Sequence, residues 1–444
     1  MNTAGLYKRD HYGITAELNW QAGNFLITNI INWQDLKKRY VEDTESSPFN
    51  VFNFFQDMDS NQFSEEFRVS WETENAQFVA GAYYLNIDSG DMYTGIRDLF
   101  FGFDMANDIS LETDTWAAFI QAEWNFAPQW TMIGGFRWTE DDKDFEFYPT
   151  CPNLIGIPGF SPTDCTPFFG PQAAQSNNLL LERSEGDWSG VLELDWTPND
   201  DLLLYAKVSR GHKAGGYNGG PASTYPVETV EFDGEILWSY EGGFKATLFG
   251  GTTRVNTSVF YYDYNDFQSF ENLGIDLFLS NIDAENVGAE IEIFTNPWEG
   301  WEFLFGIGIQ DAKQKDFTFA GITRDRPMPN APDLMLNGLA RYEWGAFMDG
   351  TMSAQVDFNY VDRRTINAIE HPVLHEDDYV VVNARLGWTS ADESWEASVW
   401  VKNLNDEEYY PTGFEFAGFT GTVIKVIAPP RWFGGTVRYN WKGL

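Results

Sequence analysis

The chain has 444 residues and a formal net charge of −39, from 28 Lys and Arg against 67 Asp and Glu. Phosphate is repelled by so acidic a surface, so nucleic acid is excluded as a partner. Mean hydropathy is −0.36 and no run of about 18 apolar residues occurs, which predicts no transmembrane helix. Aromatic residues still make up 17% of the chain, and this large share requires a structural explanation.

Apolar and polar residues alternate in many segments between Tyr12 and Trp441, and this period of two predicts β-strands with one apolar face. In one segment, for example, Leu192 and Leu194 share a face and Glu193 lies on the other. About seventeen strands are predicted in this way. Their spans are 11–20, 23–36, 61–73, 76–88, 111–126, 129–147, 184–196, 201–213, 235–249, 252–268, 285–296, 301–317, 333–344, 350–362, 378–390, 393–404 and 430–441.

Short turns and long loops alternate between these strands, for example a turn at 74–75 and a loop at 89–108. Several strands run for about ten residues or more, which is typical of strands that cross a membrane at a tilt. The pattern predicts an all-β fold, a transmembrane antiparallel β-barrel with short turns in the periplasm and long loops outside. The other predicted long loops are 38–60, 148–181, 214–230, 269–284, 318–332, 363–377 and 405–429.

Tryptophan residues cluster beside the short turns, as Trp124 and Trp130 do on either side of the turn at 127–128. Indole rings prefer the boundary between lipid headgroups and hydrocarbon, so this cluster predicts an aromatic belt. A second belt is expected at the opposite ends of the strands. Its predicted members are Tyr84, Tyr261, Tyr262 and Tyr360.

The strand count and the first residues lead us to expect a chain that is truncated on its N-terminal side. Bacterial single-chain barrels have an even number of strands, and a complete barrel keeps both termini in the periplasm. The first predicted strand, 11–20, instead runs from a long-loop end towards a short turn. Residues 1–10 contain no apolar segment, so no signal peptide is expected there.

Two cysteines, Cys151 and Cys165, lie in the same predicted long loop. The segment between them is rich in Pro and Gly, and so short a loop is easily bridged. A disulfide between the two suits an oxidising exterior, and a pair of free thiols is the alternative.

Three segments, 209–219, 401–410 and 428–439, carry Gly, Asn and Arg residues near the ends of predicted strands. In their order and positions they resemble the TonB-dependent outer-membrane receptors. His212 stands where that family usually has an aromatic residue. The residues that carry the resemblance are Arg210, Gly211, Lys213, Gly215, Gly216, Asn218, Asn403, Leu404, Asp406, Tyr409, Pro430 and Arg431.

The resemblance implies that residues 1–444 form a receptor-like β-barrel domain without a plug domain, with about 17 strands of a 22-stranded barrel. It also implies a place in the bacterial outer membrane, surrounded by lipid. The complete protein would import a scarce small-molecule ligand, such as a ferric siderophore, cobalamin or an oligosaccharide. The inner-membrane protein TonB would supply energy through the missing plug. No cofactor and no enzyme activity are implied.

Arginines in the predicted loops are candidates for ligand binding, because basic residues are rare in this acidic chain. A guanidinium group can hold carboxylate or catecholate oxygens through parallel hydrogen bonds. Pairing with carboxylates of the barrel lumen is the alternative role. The candidates are Arg324, Arg326, Arg363 and Arg364.

Histidines and loop aromatics are weaker candidates. His371 and His375 lie four residues apart, a spacing that makes a metal pair on a helix. Pro372 argues against a helix there, so no metal site is predicted. Aromatic residues of the long loops could stack on a ligand or pack the loops together. These residues are Tyr217, Phe168, Phe169, Phe414, Phe416 and Phe419.

No catalytic motif occurs: the chain has no nucleophile elbow, no phosphate-binding loop and no zinc-protease motif. Two other interpretations stay open at the level of sequence. One is a barrel without a plug that acts as a passive porin-like channel or a surface-attachment protein. The other is a soluble secreted β-protein, since a β-sandwich shows the same alternation.

Overall fold

Strands dominate the computed structural model of the protein, which describes residues 4–44, 53–99, 103–150, 179–219, 230–273, 276–319, 321–416 and 422–441. No helix in this part of the chain is long and apolar enough to span a membrane. The strands are β1 (Leu6–Ala22), β2 (Phe25–Asp43), β3 (Asn53–Glu72), β4 (Ala76–Leu99), β5 (Phe103–Ala127), β6 (Trp130–Thr150), β7 (Leu179–Asn199), β8 (Leu202–Lys213), β9 (Gly216–Tyr217), β10 (Glu231–Phe232), β11 (Glu235–Leu248), β12 (Thr253–Leu273), β13 (Asp276–Thr295), β14 (Trp301–Phe319), β15 (Ile322–Pro327), β16 (Leu334–Gly345), β17 (Thr351–Val361), β18 (Arg364–Thr365), β19 (His375–Glu376), β20 (Tyr379–Thr389), β21 (Trp395–Lys402), β22 (Thr412–Phe416), β23 (Thr422–Val426) and β24 (Trp432–Tyr439). Single-turn 3-10 helices connect β11 to β12 (Phe249–Gly251) and β16 to β17 (Phe347–Asp349).

One antiparallel sheet of 18 strands forms the wall. Its long strands pair in chain order, from β1 through β8 to β11–β14, β16, β17, β20, β21 and β24, and β15 adds to the end of β14. Within the described residues, β1 pairs only with β2 and β24 only with β21. The prediction of about seventeen long strands is confirmed.

Several of the predicted long loops, among them 38–60, 89–108 and 269–284, are wrong in extent because most of their residues lie in strands. β2 and β3 stay paired up to Asp43 and Asn53, and only residues 100–102 separate β4 from β5. The alternation of apolar and polar residues weakens where no face meets hydrocarbon. The backbone ladder continues for as long as both strands extend, so the structure has longer strands than the pattern shows.

Three small hairpins lie in, or at the edge of, other predicted loops. β9 pairs with β10, β18 with β19, and β22 with β23. Their strands have two to five residues, which is too short for a period of two to be recognised. They lie at the end of the wall that carries the long connections, which we call the loop end. The opposite end is the turn end.

The two faces of the wall differ in polarity as predicted. Leu192 and Val399 point outward, with 53% and 60% of their surface exposed. On the inward face, Lys207 and Glu241 form an ion pair at 3.1 Å, and the Tyr205 hydroxyl donates to Glu241 at 2.7 Å. A wall with apolar side chains exposed outside and polar ones paired inside fits a hydrocarbon surrounding.

Aromatic rings pack against one another along the turn end. Trp130 and Trp196 stack with ring centres 5.6 Å apart. The ring centres of Trp395 and Tyr439 are 4.7 Å apart. These ring pairs lie at the height where a lower belt is predicted.

The second belt needs one correction. Tyr84 lies on the outward face, as expected for a belt residue, with its ring centre 4.3 Å from that of Trp116. Tyr262 cannot share that face with Tyr261, because adjacent residues of a strand point to opposite sides. Tyr262 instead stacks on Phe260 at 4.6 Å on the inward side.

Candidate functional site

Arg210, in the first motif segment, ties two strands together at the loop end. Its guanidinium donates to both carboxylate oxygens of Asp187, at 2.9 and 2.8 Å, and lies 4.6 Å from the ring of Trp188. It also donates to the backbone carbonyl of Trp188. Only an arginine fork makes such a bidentate contact, so this residue joins β7 to β8.

Gly215 and Gly216 stand where the chain passes close to Phe232. A Cβ atom on Gly215 would lie 2.5 Å from the backbone oxygen of Phe232, and one on Gly216 would lie 2.8 Å from its ring. Glycine is therefore required for this close approach. In the same segment, the Cβ position of Gly211 meets open space and the Lys213 side chain is exposed.

Tyr217 lies in a small apolar cluster at the loop end. Its ring stacks on Phe145 at 4.8 Å, and Ile109 and Val230 are buried in the same cluster. The next residue, Asn218, donates its backbone N–H to the carbonyl of Val230 at 2.7 Å. Burial raises the pKa of the Tyr217 hydroxyl. These contacts pack the loop, and stacking of Tyr217 on a ligand stays a prediction.

The two C-terminal motif segments meet between β21 and β24. Asn403 has a φ of +52°, and its side chain bonds the N–H and the carbonyl of Glu407, each at 2.8 Å. Asp406 accepts the backbone N–H and the guanidinium of Arg431, at 2.9 and 3.3 Å. Arg431 also donates to the carbonyl of Leu404 at 3.2 Å. The motif residues thus hold the start of the last strand.

The structure brings the candidate arginines together at the loop end. Segment 363–376, which includes the β18–β19 hairpin, packs beside β15. Arg324 pairs with Glu370 at 2.5 Å, and Arg326 donates to the carbonyl of Ala368 at 3.2 Å. We name this group the arginine cluster; its members are Arg324, Arg326, Arg363 and Arg364.

Arg326 is buried against two aromatic rings. The residue is 4% exposed, and its guanidinium lies 4.8 Å from the ring of Phe317 and 5.8 Å from that of Phe319. Among the described residues no carboxylate pairs with it, and its Nε makes no hydrogen bond. A buried guanidinium without an acid partner is costly, so its surroundings favour an acceptor-rich group.

Arg363 and Arg364 present their charges differently. The Arg363 side chain is exposed and forms no ion pair with any residue in the described ranges. Arg364 donates to the Tyr379 hydroxyl at 3.2 Å and to Asn330 at 3.4 Å. Tyr379 stacks on Tyr409 at 4.4 Å, and burial raises the pKa of Tyr409. Arg364 thus packs against an aromatic pair, whereas Arg363 is an accessible cation.

His371 and His375 lie around a tight turn rather than on a helix. Nδ1 of His371 accepts the N–H of Val373 at 3.2 Å, and its carbonyl accepts the N–H of Leu374 at 2.8 Å. His375 begins β19 with an exposed side chain. Within the part of the chain that the structure describes, no group of three His, Cys, Asp or Glu side chains could hold a metal ion.

A buried ion pair joins two loop-end hairpins and was not predicted. Lys425 on β23 pairs with Glu376 on β19 at 2.8 Å and lies 4.2 Å from the ring of Tyr410. Glu376 also accepts the backbone N–H of Tyr410 at 3.0 Å. Phe416 is buried, stacks on Phe414 at 6.2 Å, and lies on β22, which contacts the distant strand β12. Pairs between separate hairpins leave no periodic pattern, so the sequence carried no signal for them.

The remaining predicted residues are Pro430, two cysteines and three loop aromatics. Pro430 is exposed beside Arg431. The predicted disulfide and three of the loop aromatics stay predictions, because they lie outside the described residues. The residues concerned are Cys151, Cys165, Phe168, Phe169 and Phe419.

A family model described as "TonB dependent receptor-like, beta-barrel" matches residues 2–404. The pesticin receptor of Yersinia pestis is 25% identical over 304 residues, which are 68% of this chain and 40% of that protein. The pesticin receptor of Yersinia enterocolitica is 24% identical over the same shares. The chain therefore spans 40% of the length of these curated relatives.

Solved structures share the fold. The ferric yersiniabactin uptake receptor FyuA from Yersinia pestis matches with a TM-score of 0.80 and 17% identity, over 98% of this chain and 62% of that one. The siderophore receptor PiuA from Acinetobacter baumannii matches with 0.72 and 13%, over 97% and 64%. The copper transporter OprC matches with 0.72 and 16%, over 98% and 65%. The predicted transmembrane antiparallel β-barrel is confirmed.

Proposed function

This chain belongs to the TonB-dependent receptor-like β-barrel family, and we propose that the whole protein takes up a ferric siderophore. The family lies in the bacterial outer membrane and consists of receptors and transporters, not enzymes, as expected from the motifs. The relatives are pesticin receptors, and the similar structures include a ferric yersiniabactin uptake receptor and a siderophore receptor. These names favour an iron chelate over cobalamin or an oligosaccharide.

The arginine cluster supports an anionic ligand. Carboxylate and catecholate groups carry the oxygen acceptors that a guanidinium binds most strongly. The observation that carries the proposal is Arg326, which is buried with an unbonded Nε and no acid partner among the described residues. Arg363 adds an exposed positive charge to the same cluster, in a chain of net charge −39.

Ligand binding at the loop end and passage through the barrel are separate tasks. We assign binding to the arginine cluster and the aromatic residues beside it. We assign the energy for passage to the inner-membrane protein TonB, which gives the family its name. A ligand can change the equilibrium between two arrangements of the loop-end hairpins only if it binds one arrangement more tightly than the other.

Growth of a deletion strain tests the proposal. Under iron limitation, single ferric siderophores of catecholate, hydroxamate and carboxylate type are supplied to the parent, the deletion strain and a strain without TonB. We expect the deletion to abolish growth on one chelate and the full-length gene to restore it only when TonB is present. Rescue without TonB would identify a passive channel. Normal growth on every chelate, together with a growth defect on cobalamin or on an oligosaccharide, would show that the ligand is that compound and not an iron chelate.

A further inference from the structure

Three consecutive turns at the turn end expose apolar side chains at their tips. Phe249, between β11 and β12, is 80% exposed, and Trp298, between β13 and β14, is 67% exposed. Phe347 and Met348, between β16 and β17, are 63% and 77% exposed. We name these residues the apolar turn cluster.

The other turns at this end are polar. Asp200 and Asp201 lie between β7 and β8, and Asp392 lies between β20 and β21. Further along the sheet, Asn75 lies between β3 and β4, and Gln129 between β5 and β6. The apolar turn cluster is therefore a property of one sector, from β11 to β17.

Turn geometry does not account for these residues. Phe249 has a φ of +54° and Met348 a φ of +58°. This left-handed region suits Gly and Asn, and larger side chains are strained in it. A large apolar side chain at such a position indicates that its environment, not the turn, favours it.

Ring contacts place the apolar turn cluster beside the lipid-facing wall. Phe347 stacks on Trp388, with ring centres 5.2 Å apart and an angle of 4° between the ring planes. Trp298 meets Phe303 edge-on at 6.4 Å. Phe303 lies two residues from the exposed Phe305, so both share the outward face of β14.

We propose that the apolar turn cluster inserts into the phospholipid leaflet on the periplasmic side of the outer membrane. Short turns of such barrels face the periplasm, and aromatic rings prefer the headgroup boundary. Trp388 shares the outward face with the exposed Leu386, so the cluster continues the lipid-facing surface. The turns from β11 to β17 thus sit in the leaflet, whereas those from β1 to β8 stay in water.

Spin labels on the full-length receptor in native outer membranes test this placement. Single labels at Met348→Cys and Asn75→Cys, with every other cysteine replaced by serine, report collisions with oxygen and with a water-soluble nickel chelate. We expect oxygen to relax the label at 348 strongly, and nickel to relax it several-fold less than the label at 75. Equal access of nickel to both labels would overturn the proposal. Shielding of the label at 348 from both reagents would indicate a protein partner and would also overturn it.

A charge at the same position gives a second measurement that does not depend on labels. Met348→Asp should lower the unfolding temperature of the receptor in liposomes of phosphatidylethanolamine and phosphatidylglycerol, because a carboxylate is expelled from the leaflet. Asn75→Asp is the matched control and should leave that temperature unchanged. Equal unfolding temperatures of the two variants would contradict insertion.

Discussion

The barrel wall and the loop-end hairpins are stabilised in different ways. The strands of the wall are joined by a continuous ladder of backbone hydrogen bonds. The outward face of the wall accepts many different apolar side chains, such as that of Leu192. The hairpins depend on single polar pairs, such as Lys425 with Glu376 and Arg324 with Glu370. A wall substitution should therefore matter when it changes polarity, whereas at the loop end the loss of one side chain should release a hairpin.

Reversing the polarity of the wall should have the largest effect. Leu192→Arg places a charge on the lipid face and should destabilise the barrel by about 2–4 kcal/mol. Gln121→Arg is the matched control, because it places the same charge on the inward face. Heat modifiability on gels, after refolding into liposomes, measures the folded fraction. Similar losses in both variants would contradict the assignment of faces.

Removing one partner of the loop-end ion pair should have the next largest effect. Glu376→Ala leaves Lys425 without its acid and should destabilise the β22–β23 hairpin by about 3 kcal/mol, the lower end of the range for a buried pair because Lys425 is partly exposed, while the wall stays folded. Hydrogen exchange of Thr412–Phe416 measures this local opening. Asp10→Ala, which breaks an exposed pair with Lys8, should change stability by less than about 1 kcal/mol. Unchanged protection of the hairpin would show that the pair does not hold it.

Loss of a cluster arginine should affect binding rather than folding. Arg363→Ala should weaken binding of the proposed ligand, a ferric siderophore, about tenfold, equivalent to about 1.4 kcal/mol, because one charge-assisted contact is lost. Titration of the full-length receptor measures the dissociation constant. Arg39→Ala removes an exposed cation of the outward face and should leave it unchanged. Parent affinity in the Arg363 variant would argue against the arginine cluster as the binding site.

The smallest effect is expected at a polar turn and depends on pH. The hydroxyls of Ser390 and Ser394 donate to Asp392 at 2.6 and 2.7 Å, and these hydrogen bonds lower its pKa. Since the pKa is lower in the folded state, ionised Asp392 stabilises the turn above the ordinary value of about 3.9. This stabilisation is lost as pH falls through the folded pKa.

Asp392→Asn should therefore lower the unfolding temperature slightly at neutral pH, and the difference from the parent should shrink below about pH 3.9. Thermal unfolding of both proteins across this range measures the effect. The same difference at neutral and acidic pH would mean that another interaction is responsible.

The sequence predicted the faces of the wall because side chains that face lipid alternate with side chains that face water along every membrane strand. Leu192 and Glu193 were assigned to opposite sides and lie there. Tyr262 shows where the prediction failed. It was assigned to the second aromatic belt because it is a tyrosine, although the period of two places it on the opposite face of the strand from Tyr261. The motif residues, such as Arg210, were recognised as a pattern, but their partners were not.

Strand number, wall polarity and family resemblance are determined by the sequence alone, because neighbouring residues and consecutive strands carry them. Only the tertiary structure decided that Arg326 meets the carbonyl of Ala368 and that Phe347 stacks on Trp388. In each case the partner lies on another hairpin, and no periodicity along the chain encodes which hairpins become neighbours. That choice follows from how the sheet curves and how its connections fold over the loop end.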